Sequence, residues 1–217
     1  MSADEEKRLA AEAAAELVES GMTVGLGTGT TVAHLLPAVS RRGLTDLRCV
    51  ATSVATEDQA RALGIPVEDF DSLSHLDIAI DGTDEVTPDG WLVKGGGAAH
   101  LREKIVAAAA DRFVVIADSS KPVEKLSRPV PLELFAFGLA STLARLGEDV
   151  ALRPGTPPSP DGGLIADYRG PGLDDPATLA ARLEADAGVA AQGLFPPALV
   201  HDLFVATGTE VAHTRFN

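Results

Sequence analysis

One cysteine, Cys49, is all the chain offers toward a disulfide, so no intrachain bridge can form. Its place between Arg48 and Val50, in an apolar run, predicts a buried and inert thiol. Aromatic residues are scarce at 4%, so the core must be built from Ala, Val, Leu and Ile. No apolar run approaches the roughly 20 residues of a membrane-spanning helix. The opening stretch MSADEEKRLAAEAAAELVES is acidic and amphipathic, where a signal peptide would be basic and then apolar. Positive charge is also short: 18 Lys and Arg stand against 32 Asp and Glu, and the net charge of −14 opposes binding to nucleic acid or an anionic membrane. The expectation is a soluble, cytoplasmic protein that acts on a small molecule. A phosphate-bearing ligand remains compatible, because a few backbone amides and one or two lysines outweigh the global field locally.

What is present is a chain of 217 residues, 45% hydrophobic, long enough for one domain or two small ones. Residues 3–20 read as a helix of good helix formers stopped by Gly21. Strand signals at Val24–Leu26, Arg48–Ala51 and Val67–Phe70 alternate with helical patterns at Thr31–Val39 and from Thr52–Thr56 to Leu63. That order argues for a parallel sheet with helical crossovers. Apolar runs at Ile78–Ile80, Trp91–Val93 and Arg112–Asp118 add strands, and a helix is expected from near Glu103 to about Asp111. Beyond Lys125 the alternation loosens. Pro129–Glu133 reads as a linker or edge strand, Phe135–Gly147 as an amphipathic helix, and Arg153–Asp161 as a Pro-rich connection. A strand at Gly163–Asp167, a helix at Asp175–Ala187 with Pro176 at its first position, and a strand at Val189–Phe195 follow. The tail from Leu199 reads as two strands around Gly208. The fold class expected is α/β: a Rossmann-like, mostly parallel sheet with helices on both faces, plus a smaller α+β domain. Residues 1–127 and 198–217 would form the larger domain, and 128–197 the smaller.

Four strand ends carry groups capable of chemistry: Thr28–Thr31, Asp81 with Asp84, Lys94 and Lys121. In open parallel sheets ligands bind beyond the carboxyl ends of the strands, so these groups are expected along one sheet edge. Gly27-Thr28-Gly29-Thr30-Thr31 joins a strand to a helix, where glycines let backbone approach a ligand and free amides face an anion. It is neither a GxGxxG nor a Walker loop, so a phosphate monoester fits better than a dinucleotide or nucleoside triphosphate. Taken singly, each group also has an ordinary structural explanation: a βα turn, a glycine-containing surface turn, or a Glu favoured at a helix start. The five histidines (His34, His75, His100, His201 and His213) are scattered, so no metal is expected, and no other cofactor.

The motifs in their order resemble the type A ribose-5-phosphate isomerases. They are Gly25-Leu-Gly-Thr-Gly-Thr-Thr31, Thr52-Ser53 with Thr56, Asp81-Gly-Thr-Asp84-Glu85, Lys94-Gly-Gly-Gly-Ala98, Arg102-Glu103-Lys104 and Asp118-Ser-Ser-Lys121. The likeness is close from Lys7 to Leu126. Beyond that it is carried by Pro131-Leu-Glu133, Leu152-Arg153 and Gly193-Leu-Phe195. Pro160-Asp-Gly-Gly-Leu164 stands where that family usually has Thr-Asp-Asn-Gly-Asn. The resemblance implies a metal-free interconversion of D-ribose 5-phosphate and D-ribulose 5-phosphate by a homodimer or homotetramer. It implies that Thr28, Gly29, Thr30 and Thr31 hold the phosphate with help from Lys7. Asp81 and Asp84, with Gly82 and Thr83 between them, would bind the sugar and open its ring. Lys94 and the amides of Gly95, Gly96 and Gly97 would stabilise the oxyanion, Glu103 would move the proton, and Lys121 would complete the pocket. A paralogue acting on another pentose phosphate is one alternative. A non-catalytic sugar-phosphate-binding regulator is another, although no helix-turn-helix segment is apparent before residue 20 or after residue 200.

Overall fold

The computed structural model describes residues 1–216. In chain order the first elements are α1 (Ala3–Ala15), β1 (Thr23–Leu26), α2 (Val32–Arg41), β2 (Arg48–Ala51), α3 (Val54–Ala62), β3 (Ile78–Gly82), β4 (Glu85–Val86) and β5 (Leu92–Val93). Then follow α4 (His100–Ala108), β6 (Phe113–Asp118), β7 (Val130–Leu134), α5 (Leu139–Leu146), β8 (Val150–Leu152) and β9 (Leu164–Tyr168). The chain closes with α6 (Pro176–Glu184), β10 (Val189–Gln192), β11 (Leu194–Phe195), β12 (Asp202–Thr207) and β13 (Glu210–Arg215). Two compact units result. The first comprises Met1–Thr83, Arg102–Pro122 and the tail from Pro197; the second comprises Asp84–Leu101 and Val123–Pro196. Asp84–Leu101, which the sequence reading places in the larger domain, thus groups with the second unit.

The first unit is built on a six-stranded sheet in the order β13-β12-β6-β3-β1-β2. The five strands from β12 to β2 run parallel, and β13 returns antiparallel on β12 through the turn at Gly208, whose φ of 58° suits glycine. Every residue of β6 is buried, as a central parallel strand requires. Helix α1 begins with a capping box between Ser2 and Glu5 and presents Ala10, Ala11, Ala14 and Ala15 to the core. Those short side chains let α1 lie close to α2, β6 and β12. It stops at Ala15 rather than Ser20, because the amides of Leu17 and Val18 turn to the carbonyls of Ala14 and Ala15, three residues back. Gly25 leaves no space for a side chain: a β-carbon there would lie 2.5 Å from Val106 Cγ1 and 2.9 Å from Ala79 Cβ. Helix α4, which carries Glu103, therefore sits directly on β1.

One expected strand of this unit is absent. Val67–Phe70 makes a single bridge, Val67 to Cys49, and then tightens into a short 3-10 turn at Phe70–Ser72. Its polar residues explain the change, since Glu68 is drawn sideways to Arg48 (2.7 Å) and to Ser72 (2.6 Å).

The second unit contains a four-stranded antiparallel sheet, β10-β7-β9-β8, and a three-stranded one, β11-β5-β4. Leu132, Leu134, Ala166, Tyr168, Leu179 and Leu183 fill its core, with α6 capped by Asp175 and started by Pro176. Three expectations are corrected here. Val130–Leu134 is an inner strand, not a linker or edge: its ladder with β10 runs over Leu132–Leu134, so Pro131 lies beyond the pairs that would need its missing N–H. Val189–Phe195 is two strands in different sheets, parted at Gly193, where a side chain would collide with the Lys94 carbonyl and with Pro131 Cδ (2.8 Å). Trp91–Val93 does not join the parallel sheet. Its two-residue strand, β5, turns back on β4 through a tight hairpin at Thr87–Gly90.

Candidate active site

In the first unit, β1, β3 and β6 run parallel, so their carboxyl ends share one edge of the sheet. The turn after β1 is packed against the end of β3 with no slack. A β-carbon on Gly27 would fall 2.5 Å from Asp81 Cβ and closer still to its carboxyl group. Asp81, only 3% exposed, uses Oδ1 to accept from the amides of Thr28 (3.0 Å) and Gly82 (2.7 Å). The Thr28 hydroxyl joins those of Thr52 (2.8 Å) and Thr56 (3.3 Å). Gly29, at φ +106°, turns the loop into α2, where its carbonyl accepts the Ala33 amide. The first turn of a helix leaves its amides without intrahelical acceptors, so Thr31 and its neighbours bring donors to this edge. The Lys7 ammonium donates to the Thr30 hydroxyl at 3.0 Å and adds a cation to them.

Glu6, next to that lysine, ties three segments together. One carboxylate oxygen accepts from the Ser119 amide (3.1 Å) and hydroxyl (2.6 Å), the other from the Gly208 amide (2.8 Å). These bonds, the Ser119 hydroxyl first, hold the Glu6 carboxyl below its ordinary value. They also fix the loop after β6, in which Asp118 accepts from the Ser120 amide at 2.9 Å and the Lys121 amide reaches the Asp118 carbonyl at 3.1 Å. Glu103 lies in the first turn of α4, 5% exposed.

The second unit holds the remaining candidates. Asp84 follows β3 by two residues and accepts the Gly96 amide at 2.8 Å, and a side chain on Gly96 would lie 2.9 Å from that carboxylate. Lys94 follows β5, is 3% exposed, and holds its ammonium 5.5 Å from the centre of the Phe195 ring. Gly95 has φ +105° and would meet His100 Nδ1 at 2.8 Å and Pro131 Cβ at 2.9 Å if it carried a side chain. Both glycines are therefore required by close packing, and Gly95 by its conformation as well.

Lys94 thus follows a strand of a separate antiparallel sheet, and the expectation that all four strand ends lie on one sheet edge is corrected. Thr28–Thr31 and Lys121 do follow parallel strands of the large sheet, and Asp81 is the last residue but one of such a strand, β3. Glu85, the second acid of the Asp-Glu pair, is structural: it accepts from the amides of Ser127 (2.8 Å) and Arg128 (3.1 Å). Sequence reasoning gave no role to Glu6, whose only signal is an acid beside Lys7, nor to Arg153, singled out only by the Leu152-Arg153 likeness. The segment Pro160–Leu164 is closed by its neighbour Ser159, whose hydroxyl accepts the amides of Asp161 (3.2 Å) and Gly163 (3.1 Å) and donates to Glu133. Cys49 is fully buried, and burial pushes its thiol up to about 12. Among the described residues, His75, Asp77 and Asp111 are spaced closely enough to hold an ion. They lie at the amino end of β3, where Asp77 is already engaged by the amide (2.7 Å) and hydroxyl (2.8 Å) of Thr23. No helix among the described residues is long and apolar enough to cross a membrane.

Residues 48–210 match the sequence profile of the family described as ribose 5-phosphate isomerase A (phosphoriboisomerase A). The chain is 48% identical to the ribose-5-phosphate isomerase A of Caulobacter vibrioides over 208 residues, covering 90% of this chain and 91% of the relative. It is 34% identical to the solved ribose 5-phosphate isomerase A of Neisseria gonorrhoeae, with a TM-score of 0.94 over 100% of this chain and 98% of the other. A solved D-ribose-5-phosphate isomerase in complex with phospho-erythronic acid is 31% identical, with a TM-score of 0.92 over 99% of this chain and 100% of that one. Matched by that profile over residues 48–210 and 48% identical to a named relative across 90% of its length, the chain belongs to the ribose 5-phosphate isomerase A family.

Proposed function

We propose that the chain is an aldose–ketose isomerase that interconverts D-ribose 5-phosphate and D-ribulose 5-phosphate by proton transfer through an enediolate. The observation that carries this reading is 48% identity to a ribose-5-phosphate isomerase A across nine-tenths of the chain. The fixed geometry around Asp81, Asp84 and the glycine turns supports it. Thr28, Gly29, Thr30, Thr31 and Lys7 hold the substrate phosphate. Asp81 and Asp84, with the Gly82–Thr83 backbone between them, bind sugar hydroxyls and assist ring opening. Glu103 removes the C2 proton of the open-chain aldose. The C–H electron pair then forms the C1=C2 bond, and the carbonyl pair moves to O1. Lys94 and the Gly95–Gly97 amides stabilise that oxyanion, and Lys121 completes the pocket. Returning the proton to C1 while the proton of O2–H passes to O1 leaves O1–H and a C2 carbonyl. The reaction is redox-neutral and needs one carboxylate near two adjacent carbons.

The enzyme works in the cytoplasm as a homodimer or homotetramer. Phe137 (96% exposed) and Phe135 (52%) offer apolar surface for self-association, which light scattering on the purified chain measures. The functional test is an NMR assay of the purified chain with ribose 5-phosphate, ribulose 5-phosphate and arabinose 5-phosphate. Interconversion of the first two is expected, with arabinose 5-phosphate left unchanged. Preference for arabinose 5-phosphate would make this a paralogue. Binding of all three without turnover would make it a sugar-phosphate sensor.

A further inference from the structure

We propose that Arg153 is a positioning residue for the isomerisation, acting through the peptide groups of the Gly95–Gly97 turn. Its guanidinium divides its donors between a carboxylate and two backbone carbonyls. Nε and Nη2 grip the Asp167 carboxylate at 3.2 and 2.6 Å, while Nη1 donates to the carbonyls of Gly95 (3.2 Å) and Gly96 (3.1 Å). Asp167 is 8% exposed, and its Oδ2, held by Arg153 Nε, is also approached by Arg169 at 3.4 Å, so the anchor is held in place. Two consecutive carbonyls thus converge on one cation.

The amides belonging to those two peptide groups are the N–H of Gly96 and the N–H of Gly97. The first holds Asp84 Oδ2 at 2.8 Å. A cation hydrogen-bonded to a peptide oxygen draws electron density from the nitrogen and strengthens the N–H as a donor. It also fixes the plane of the peptide, and with it the direction in which the amide points. Arg153 therefore sits behind a row of donors: its charge reaches Asp84 through one peptide and the amide of Gly97 through the next. Only a planar fork satisfies a carboxylate and two carbonyls together; a lysine ammonium offers charge without that geometry.

This inference rests on the roles given above to Asp84 and to the glycine amides. The test substitutes Arg153→Met and reads kcat, KM, inhibition by inorganic phosphate, and the Gly96 amide proton by NMR. A misplacement of about 1 Å caused by a change away from the chemistry costs up to about 100-fold, so kcat is expected to fall by about 10- to 100-fold. KM and phosphate inhibition should stay within about threefold, because uniform binding is untouched. Added guanidinium ion at non-denaturing concentration should recover part of kcat, and the Gly96 amide proton should move upfield. A kcat within twofold of the parent enzyme overturns the proposal. So does a loss that guanidinium does not recover, or one that falls equally on phosphate binding, since those mark a merely structural arginine. If Arg153→Met does not fold, Arg153→Lys carries the same readings with a smaller loss. Failure of the parent chain to isomerise ribose 5-phosphate would sink the functional reading instead, and the Gly96 proton would then decide the polarisation by itself.

Discussion

Replacing Gly27 with alanine tests how tightly the phosphate-type turn is locked to Asp81. The added methyl would sit 2.5 Å from Asp81 Cβ, whereas ordinary contact begins at 3.4 Å, so the two segments must part by about 0.9 Å even before the nearer carboxyl is considered. The turn cannot yield without releasing Asp81 Oδ1 from the amides of Thr28 and Gly82. Hydrogen bonds to a charged group contribute about 1.5–3 kcal/mol each, and partial relaxation leaves an expected loss of about 2–4 kcal/mol in stability. A displacement near 1 Å at a positioned group costs on the order of 100-fold, so kcat/KM should fall by about that factor in the molecules that remain folded. Urea titration and the ribose 5-phosphate assay, run well below the melting temperature, read the two effects separately. A double-mutant cycle isolates the cause. Asp81→Gly removes the carboxyl and the β-carbon that obstruct the turn, so Gly27→Ala should destabilise by about 1–3 kcal/mol less in that background. Gly29→Ala is the control: nothing lies within 4 Å of its added methyl, and only the strain of φ +106° is incurred, about 1–3 kcal/mol. A Gly27→Ala enzyme with activity within twofold of the parent, or a cycle with no coupling, refutes the packing argument.

Other consequences are equally direct. Lys7→Met removes the ammonium bonded to the Thr30 hydroxyl; KM for ribose 5-phosphate should rise about tenfold with kcat within twofold, and a fall in kcat alone would place Lys7 outside phosphate binding. Acid should unfold the chain through carboxyls whose folded values lie below their ordinary ones: Glu6, Asp77, Asp186 and Glu68, the last lowered to about 2 by Arg48. The unfolded chain takes up those protons first, so their stabilisation is full above about pH 4.5 and is lost as pH falls through the folded values toward about 2. The urea midpoint should therefore hold between about pH 7 and 5 and decline below about 4.5; a midpoint unchanged at pH 3 contradicts this.

The strands of the large sheet were legible because a central parallel strand must be apolar on both faces, as Phe113–Ile116 is. The turns after them were legible as turns because glycine and hydroxyl residues mark the passage from strand to helix, whatever further use they have. The sequence misleads where a local pattern has two structural solutions. Trp91–Val93 has the composition of a parallel strand, yet the turn at Thr87–Gly90 makes it half of a hairpin. Pro129 and Pro131 suggest an edge, yet the ladder that β7 makes with β10 begins just past them. Long-range polar ties are invisible in principle: Glu6 meets Ser119 and Gly208, and Arg153 meets Gly95 and Gly96, and no sequence spacing announces either pairing. The candidate site residues were singled out by their places at strand ends and by motif order, neither of which gives their geometry.

In the proposed reaction the Glu103 carboxylate moves the proton, and Glu103→Gln is the sharpest test because the amide keeps the shape and removes the base. Turnover of ribose 5-phosphate should fall by about 10²- to 10⁴-fold, while the melting curve and inhibition by inorganic phosphate stay close to those of the parent chain. Turnover within about tenfold of the parent, by a folded Glu103→Gln chain, would contradict the account.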